Sequence, residues 1–142
     1  GLPVMTLVQH PKLPLLDAIA KRHPRLRLSL VHMGLETDTR DEAAFRHIDR
    51  LLDIASNPNV CVNVSALPLY TRDPWPHRAL HPYLQRIHEA FGSRRMFWGT
   101  DLTRLECSYR AAVDMFTEEM EWLPSGDLGW IMGRALCQWL DW

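Results

Sequence analysis

The hydrophobic residues of this chain follow two alternating patterns. Short continuous apolar runs lie at positions 3–8, 26–31, 60–64 and 96–98, and such runs predict β-strands that are buried on both faces. After each run, apolar residues recur at spacings of three and four, which predicts an amphipathic helix. The resulting order βαβαβαβα is typical of an α/β fold in which helices cover a parallel sheet.

The helical stripes are expected to face the core of this sheet. They consist of Leu15, Leu16, Ile19 and Ala20; Phe45, Ile48, Leu52 and Ala55; Leu80, Leu84, Ile87 and Phe91; Tyr109, Ala112, Phe116 and Met120; and, in a closing helix, Leu128, Ile131, Ala135 and Trp139. Asp41 is expected to cap the second helix at its amino end. Arg27 is a charged exception within the second predicted strand.

Composition narrows the class of protein. The chain has 142 residues, of which 46% are hydrophobic and 23% charged, so residues 1–142 can form a single folded domain. The net charge of −1 gives no general attraction to nucleic acid or to an anionic membrane, and no apolar run is long enough to span a bilayer. The three cysteines are widely spaced, and no signal peptide is visible. We therefore expect a cytoplasmic protein.

Polar side chains follow every predicted strand at its carboxyl end. Because ligands bind at this end of the strands in parallel α/β folds, these residues are the candidates for chemistry. In chain order they are Gln9, His10, His32, Asn63, Ser65, His77, Asp101 and Arg104.

Several of these residues also have a purely structural interpretation. Asp101 after Gly-Thr is typical of a turn or helix cap, and His32 close to a glycine is typical of a structural histidine. Arg104 fits an exposed position. The Pro-rich segment 73–77, which ends in His77, fits either a lid or an ordinary loop.

A histidine and an aspartate on neighbouring strand ends suit two chemical roles. They can belong to the shell of a divalent metal, or Asp101 can activate water as a general base while His32 polarises the carbonyl under attack. The sequence contains no His-Glu-x-x-His, Gly-x-Ser-x-Gly, Walker or Gly-x-Gly-x-x-Gly motif. This absence disfavours zincins, serine hydrolases of the elbow type and nucleotide-binding folds.

Four segments together resemble the amidohydrolase-related family, also called the amidohydrolase 2 group. They are His-Met-Gly at 32–34, Pro-Asn-Val-Cys-Val-Asn-Val-Ser at 58–65, Phe-Gly-Ser-Arg-Arg-Met-Phe-Trp-Gly-Thr-Asp at 91–101 and Ile-Met-Gly-Arg-Ala-Leu at 131–136. Thr100 stands where the family usually has Ser, and Arg134 stands where Asn is common.

The resemblance implies a (β/α)8 barrel that hydrolyses a small lactone or a related carboxylate. On this basis Asp101 is the predicted metal ligand or water-activating base, and His32 is the predicted residue that polarises the substrate. His10 is the predicted second metal ligand, with Gln9 as the other candidate at the same strand end. The implied metal is divalent, zinc before others, and a site without a metal stays an open alternative.

The remaining candidates are predicted to bind the small-molecule substrate. They are Arg104, Gln9, Ser65 and His77. A nonoxidative decarboxylase of the same family is a second interpretation. A non-catalytic binding module of flavodoxin type, with its strands reordered around a switch point, is a third.

The family's His-x-His pair, which ends the first barrel strand, is absent from this sequence. The resemblance therefore implies that residues 1–142 correspond to strands five to eight, the C-terminal half of the barrel. We expect such a chain to be inactive or incomplete by itself. Its open sheet edges predict a dimer or higher homo-oligomer, or association with the other half of the barrel.

Overall fold

The computed structural model describes residues 2–142, and its centre is a four-stranded parallel sheet in the order β1-β2-β3-β4. The strands are Val4–Thr6, Leu28–Leu30, Val60–Ser65 and Met96–Gly99. Each strand pairs with the next along the chain, as in a segment of a (β/α)8 barrel. The predicted α/β class and half-barrel order are confirmed. The flavodoxin-type alternative is wrong, because that fold requires a reordered sheet.

Helices follow each strand. They are α1 Leu13–Arg22, α2 Glu42–Phe45, α3 Ile48–Ile54, α4 His81–Phe91, α5 Tyr109–Thr117, α6 Ser125–Gly129 and α7 Ala135–Leu140, with a π-helical segment Trp130–Arg134 between the last two. The stripe predicted for α4 is buried as expected. The single helix predicted after β2 is instead the pair α2 and α3. No helix among the described residues is both long and apolar enough to cross a membrane.

The predicted cap at Asp41 is wrong. Its backbone has a positive φ of 56°, and its side chain makes no capping hydrogen bond. Its carboxylate instead accepts hydrogen bonds from Thr71 and Arg72, which ties the loop after β3 to the start of α2.

The main core lies between one face of the sheet and helices α1, α3 and α4. Leu30, Val62 and Val64 contribute from the strands, with Leu51 and Ile87 from the helices. All five are almost fully buried. Since side chains alternate along a strand, the intervening residues point to the opposite face.

The opposite face of the sheet carries both polar and apolar side chains. Ser29 donates a hydrogen bond to Asn63 on this face, and Cys61 and Phe97 pack beneath Ala135 and the C-terminal helix. Arg27, the charged exception in the second apolar run, points the same way. It donates to the Trp139 carbonyl and pairs with Asp141, which anchors the end of the chain under the sheet.

The first predicted strand is not buried as expected. Val4, Met5 and Leu7 are exposed, because β1 is the edge strand of the sheet and pairs only with β2 within residues 2–142. Leu15 and Ile19 of the predicted α1 stripe are also exposed, and Leu13 packs into the core instead.

Candidate active site

Just after three of the four strands, the chain has a non-glycine residue with left-handed backbone geometry. His32 follows β2 closely with φ 52°, Ala66 follows β3 with φ 58°, and Asp101 follows β4 with φ 53°. Non-glycine residues seldom adopt this conformation, which costs roughly 1–3 kcal/mol each and is concentrated at functional sites. The strain therefore marks the same edge of the sheet that the polar residues marked in the sequence.

The turn after β2 continues in this conformation through Met33 and Gly34. Gly34 has φ 66°, and a Cβ at this position would lie 3.1 Å from Leu13 Cδ2 and 3.3 Å from the Val8 carbonyl oxygen. Both features favour glycine at this position. The tight turn brings the ring of His32 back over the end of the sheet.

His32 lies between two partners on neighbouring strands. Its Nδ1 is 2.7 Å from the hydroxyl oxygen of Ser65, and its Nε2 is 3.3 Å from a carboxylate oxygen of Asp101. Ser65 is buried, whereas Asp101 is partly open to solvent. The structure therefore brings these three predicted site residues into one continuous arrangement.

Burial lowers the pKa of His32, the carboxylate of Asp101 opposes this shift, and the guanidinium of Arg104 adds to it. The imidazole is therefore neutral near pH 7. In that state one ring nitrogen donates a hydrogen bond and the other accepts one.

His32 and Asp101 face an open cleft of about 550 Å³, within the size range of small-molecule sites. Arg104 lies on its wall and is exposed, as expected for a residue that could meet a substrate carboxylate. Gln9 also lines the cleft and donates a 3.1 Å hydrogen bond to Thr37. The predicted substrate-binding positions Arg104 and Gln9 are therefore at the cleft, and Ser65 lies behind His32.

Sequence reasoning missed three polar residues of the cleft, namely Lys12, Thr37 and Tyr70. Lys12 follows the first strand by six residues, so the rule that polar residues gather at strand ends could have found it. Tyr70 follows the apolar residues 67–69, and no pattern in the sequence marks it as part of a cleft. Burial raises the pKa of Tyr70, so its hydroxyl stays protonated and able to donate a hydrogen bond.

His10 is not brought to Asp101. Its side chain is buried, does not line the cleft, and packs edge-on against His47 with ring centroids 5.6 Å apart. The short 3₁₀ turn His10–Lys12 directs the ring inward and leaves Gln9 and Lys12 at the cleft. This placement favours Gln9, the other candidate at that strand end.

His77 also lies away from the cleft. Its Nδ1 is 2.7 Å from the Asp73 carbonyl oxygen, and its ring is buried in the loop between β3 and α4. The loop folds into a turn here, because the backbone N–H of His77 also donates a hydrogen bond to the Pro74 carbonyl oxygen. Its predicted contact with substrate is not supported by this position.

The donors of this chain do not fit a metal ion by themselves. A structural zinc takes four ligands, and a catalytic zinc takes three protein ligands. Within residues 2–142, no three His, Cys, Asp or Glu side chains are grouped so that they could hold a metal ion. His32 and Asp101 are two donors that contact each other.

Comparison with protein families gives a match over residues 1–133 to the family described as Amidohydrolase. A curated relative, L-fucono-1,5-lactonase from Burkholderia ambifaria, is 32% identical over 98 residues, which cover 67% of this chain and 32% of the relative. The chain thus spans about a third of the length of this relative.

Two solved structures share the fold. An amidohydrolase from Burkholderia multivorans with bound zinc superposes with a TM-score of 0.81 at 22% identity, over 96% of this chain and 51% of that chain. Amidohydrolase 2 from Bifidobacterium longum subsp. infantis gives a TM-score of 0.68 at 15% identity, over 99% of this chain and 50% of that chain. The four βα units therefore correspond to about half of each solved chain.

Proposed function

Because the chain belongs to the amidohydrolase family, we propose that it supplies part of the active site of a hydrolase that opens a small lactone. The observation that carries this proposal is the contact between His32 and Asp101, 3.3 Å apart at the wall of the cleft. The relationship to a lactonase supports a cyclic ester as the substrate class.

In the proposed reaction, Asp101 accepts a proton from a water molecule, and the hydroxide formed adds to the carbonyl carbon of the lactone. His32 donates a hydrogen bond from Nε2 to the carbonyl oxygen, which gains negative charge as the tetrahedral intermediate forms. The ring C–O bond then breaks, and the proton held by Asp101 passes to the departing alkoxide. The product is the open hydroxy acid, and Asp101 returns to its carboxylate form.

The cleft also suits the product acid. Arg104 carries a planar fork of donors that can hold a carboxylate in two parallel hydrogen bonds, and Lys12 adds a second positive charge to the same wall. Gln9 offers an amide for the remaining polar atoms of the ring. A substrate with a carboxylate or several hydroxyl groups is therefore favoured over an apolar one.

We further propose that a divalent metal, zinc before others, needs ligands beyond those of residues 2–142. His32 and Asp101 give only two donors, so no step above depends on a metal. We expect the purified 142-residue chain to hold less than one equivalent of zinc after dialysis, measured by elemental analysis. One tightly held equivalent would contradict this proposal.

The activity is tested by measuring lactone hydrolysis in the 142-residue chain and in the whole gene product that contains it. L-fucono-1,5-lactone and an acidic lactone serve as the first substrates. We expect little turnover from the chain alone. In the active form, Asp101→Asn should lower kcat about 100- to 10,000-fold, the range for loss of a general base.

The matched control is Asp53→Asn, which removes an exposed carboxylate on α3 outside the cleft. It should leave kcat unchanged. Robust turnover by the 142-residue chain would show that its site is complete, and an unchanged kcat in Asp101→Asn would contradict the role of Asp101.

A further inference from the structure

Tyr70 is a buried side chain whose hydroxyl is available to a ligand in the cleft. The residue is 3% exposed and lines the cleft together with Asp101 and Arg104. Among the described residues its hydroxyl has no hydrogen-bond partner, and it is not one of the polar atoms that are sealed from water. The hydroxyl is therefore the part of this buried ring that can meet a substrate.

The backbone around Tyr70 is fixed by Asp41, a residue of the loop between β2 and α2. The Asp41 N–H donates a 2.8 Å hydrogen bond to the Tyr70 carbonyl oxygen. The Asp41 carboxylate accepts three more, from the Thr71 hydroxyl at 2.9 Å, the Arg72 N–H at 2.8 Å and the Arg72 guanidinium at 2.9 Å. Residues 70–72 are thus tied to a single residue of another loop.

Arg40 extends this contact to a third loop. Its guanidinium donates to the Thr71 carbonyl oxygen at 3.2 Å and to the Glu106 carboxylate at 2.7 Å. Glu106 closely follows the turn Leu102–Arg104, whose last residue lies on the cleft wall. Arg40 and Asp41 therefore join the loops that follow β2, β3 and β4, although neither side chain lines the cleft.

Asp41 has a backbone conformation that depends on these contacts. Its φ of 56° and ψ of −139° lie in a region that favours glycine, and other residues keep such a conformation only where their surroundings hold it. The Arg72 N–H is the largest cause that lowers the pKa of the Asp41 carboxyl; burial opposes this shift, and the side chains of Thr71 and Arg72 add to it. The contacts are thus made by a charged carboxylate, which accepts stronger hydrogen bonds than a neutral group.

We propose that Asp41 and Arg40 are positioning residues that hold Tyr70 in the cleft wall, where its hydroxyl donates a hydrogen bond to the substrate. Both act through Tyr70, because they do not reach the cleft themselves. The contact with substrate rests on the proposed function, whereas the position of the ring does not. A donor that is already fixed binds a polar group of the lactone without first being ordered.

The position of Tyr70 is tested by ¹⁹F NMR on the 142-residue chain carrying 3-fluorotyrosine at its three tyrosines. Tyr83 stacks on Phe45, and Tyr109 is 57% exposed, so the three signals report different environments. Each signal is assigned by its loss when that tyrosine is replaced by phenylalanine. Transfer from H2O to D2O should shift the Tyr109 signal most and the Tyr70 signal least.

Asp41→Gly removes the carboxylate and suits the positive φ, so it breaks the contacts without adding strain. We expect the solvent-induced shift of the Tyr70 signal to rise toward that of Tyr109, while Tyr83 keeps its value. Arg40→Gln, which leaves the contacts of Asp41 in place, should give a smaller change in the same direction. An unchanged Tyr70 signal in either variant would refute the role of the residue that was replaced.

Asp141→Gly is the matched control. Asp141 also has a positive φ, 61°, and its carboxylate accepts a hydrogen bond from Arg27, but it lies at the end of the chain and does not line the cleft. The variant makes the same chemical change away from residues 70–72, so it should leave the Tyr70 signal unchanged. An equal shift in both aspartate variants would mean that the signal reports a general loosening of the chain, and the proposal would be wrong.

Asp41→Asn is a second variant, should Asp41→Gly fail to fold. Asparagine tolerates a positive φ, but its neutral amide cannot pair with the Arg72 guanidinium as the carboxylate does. We expect the solvent-induced shift of Tyr70 to increase here too, by less than in Asp41→Gly. A Tyr70 signal identical to that of the unmodified chain would contradict the proposal.

The activity measurement separates this proposal from the proposed function. In an active assembly, Tyr70→Phe should lower kcat/KM roughly 5- to 100-fold, as for loss of a hydrogen bond in a buried site. Asp41→Gly should have a similar effect by itself and little further effect in combination with Tyr70→Phe, because residues that act through one group are not additive. Additive losses would contradict action through Tyr70. Absence of any lactone hydrolysis would refute the proposed function while the NMR result stood.

Discussion

Strands β1 and β3 carry similarly apolar sequences but occupy opposite environments. Val62 and Val64 of β3 are fully buried, whereas Met5 of β1 is 69% exposed and the adjoining Leu7 is 73% exposed. β3 has a neighbouring strand on each side and lies under α4, while β1 pairs with β2 alone among the described residues. An apolar run therefore predicts a strand, whereas the burial of that strand also requires a neighbour on each side.

The largest expected effect is on the free energy of unfolding, where replacing a buried leucine and replacing an exposed leucine should differ. Leu30→Ala removes a side chain that is fully buried in β2, and it should lower the free energy of unfolding by about 2–5 kcal/mol. Leu7→Ala should change it by no more than about 0.5 kcal/mol, because this side chain is mostly in water. Urea unfolding followed by circular dichroism measures both.

The same pair of variants also tests whether the β1 edge is covered in solution. If Leu7→Ala is as destabilising as Leu30→Ala, Leu7 is buried against a partner. Repeating the unfolding at two protein concentrations would then identify self-association, because the stability of a dimer rises with concentration.

A second prediction concerns assembly. We propose that the exposed edge of β1 pairs with a second copy of the chain or with another half of a barrel, since open edges readily recruit strands. Light scattering at tens of micromolar, roughly where weak pairing is seen, should give a mass above that of the monomer. Met5→Lys should shift the mass toward the monomer, because a charged edge residue opposes strand pairing.

Leu102→Lys is the control for this substitution. Leu102 is about as exposed as Met5 but lies in the turn after β4, so the variant should assemble like the unmodified chain. A monomer at every concentration in the unmodified chain would contradict the proposed assembly.

The sequence predicted the parts of this molecule that depend on local pattern. The four strands, the buried stripe of α4 and the meeting of His32 with Asp101 at one sheet edge all follow from periodicity and from the geometry of parallel sheets. Each of these features is determined within one βα unit or between βα units that are close in the sheet. The same reasoning placed Gln9 and Arg104 at the cleft.

What the sequence could not predict depends on turn geometry and on long-range contacts. The left-handed backbone of Asp101 and the inward turn of His10 are set by the packing of whole loops. Asp41 appeared to be a helix cap because no local signal reveals its partners Thr71 and Arg72, some 30 residues away. The exposure of β1 follows from its position at the edge of the described sheet, which periodicity does not report.

The smallest expected effect is on the pH dependence of stability and comes from His10, which follows β1. The side chain of His10 is only 1% exposed, although the strand before it is open to water. Neither ring nitrogen has a hydrogen-bond partner among the described residues. Burial is the largest cause and lowers the pKa of His10; the backbone of Ala44 and the carboxylate of Glu36 oppose this shift, and His47 and Arg50 add to it. The folded chain therefore disfavours the protonated ring.

The sign of the pH dependence follows from this shift. The unfolded chain binds the proton at about pH 6.5, before the folded chain does. The stability is therefore complete above that pH and is lost as pH falls toward the folded pKa of His10, with a slope of at most about 1.4 kcal/mol per pH unit for one proton. His32 and His81, whose pKa values burial also lowers, contribute in the same direction.

His10→Leu isolates the share of this one residue, because leucine fills the buried site without titrating. Plots of unfolding free energy against pH should be flatter for this variant than for the unmodified chain below about pH 6.5. His23→Leu, at an exposed position after α1, should leave the slope unchanged. Equal slopes for His10→Leu and the unmodified chain would mean that His10 is hydrated in solution, and the β1 segment would then be open to water along its whole length.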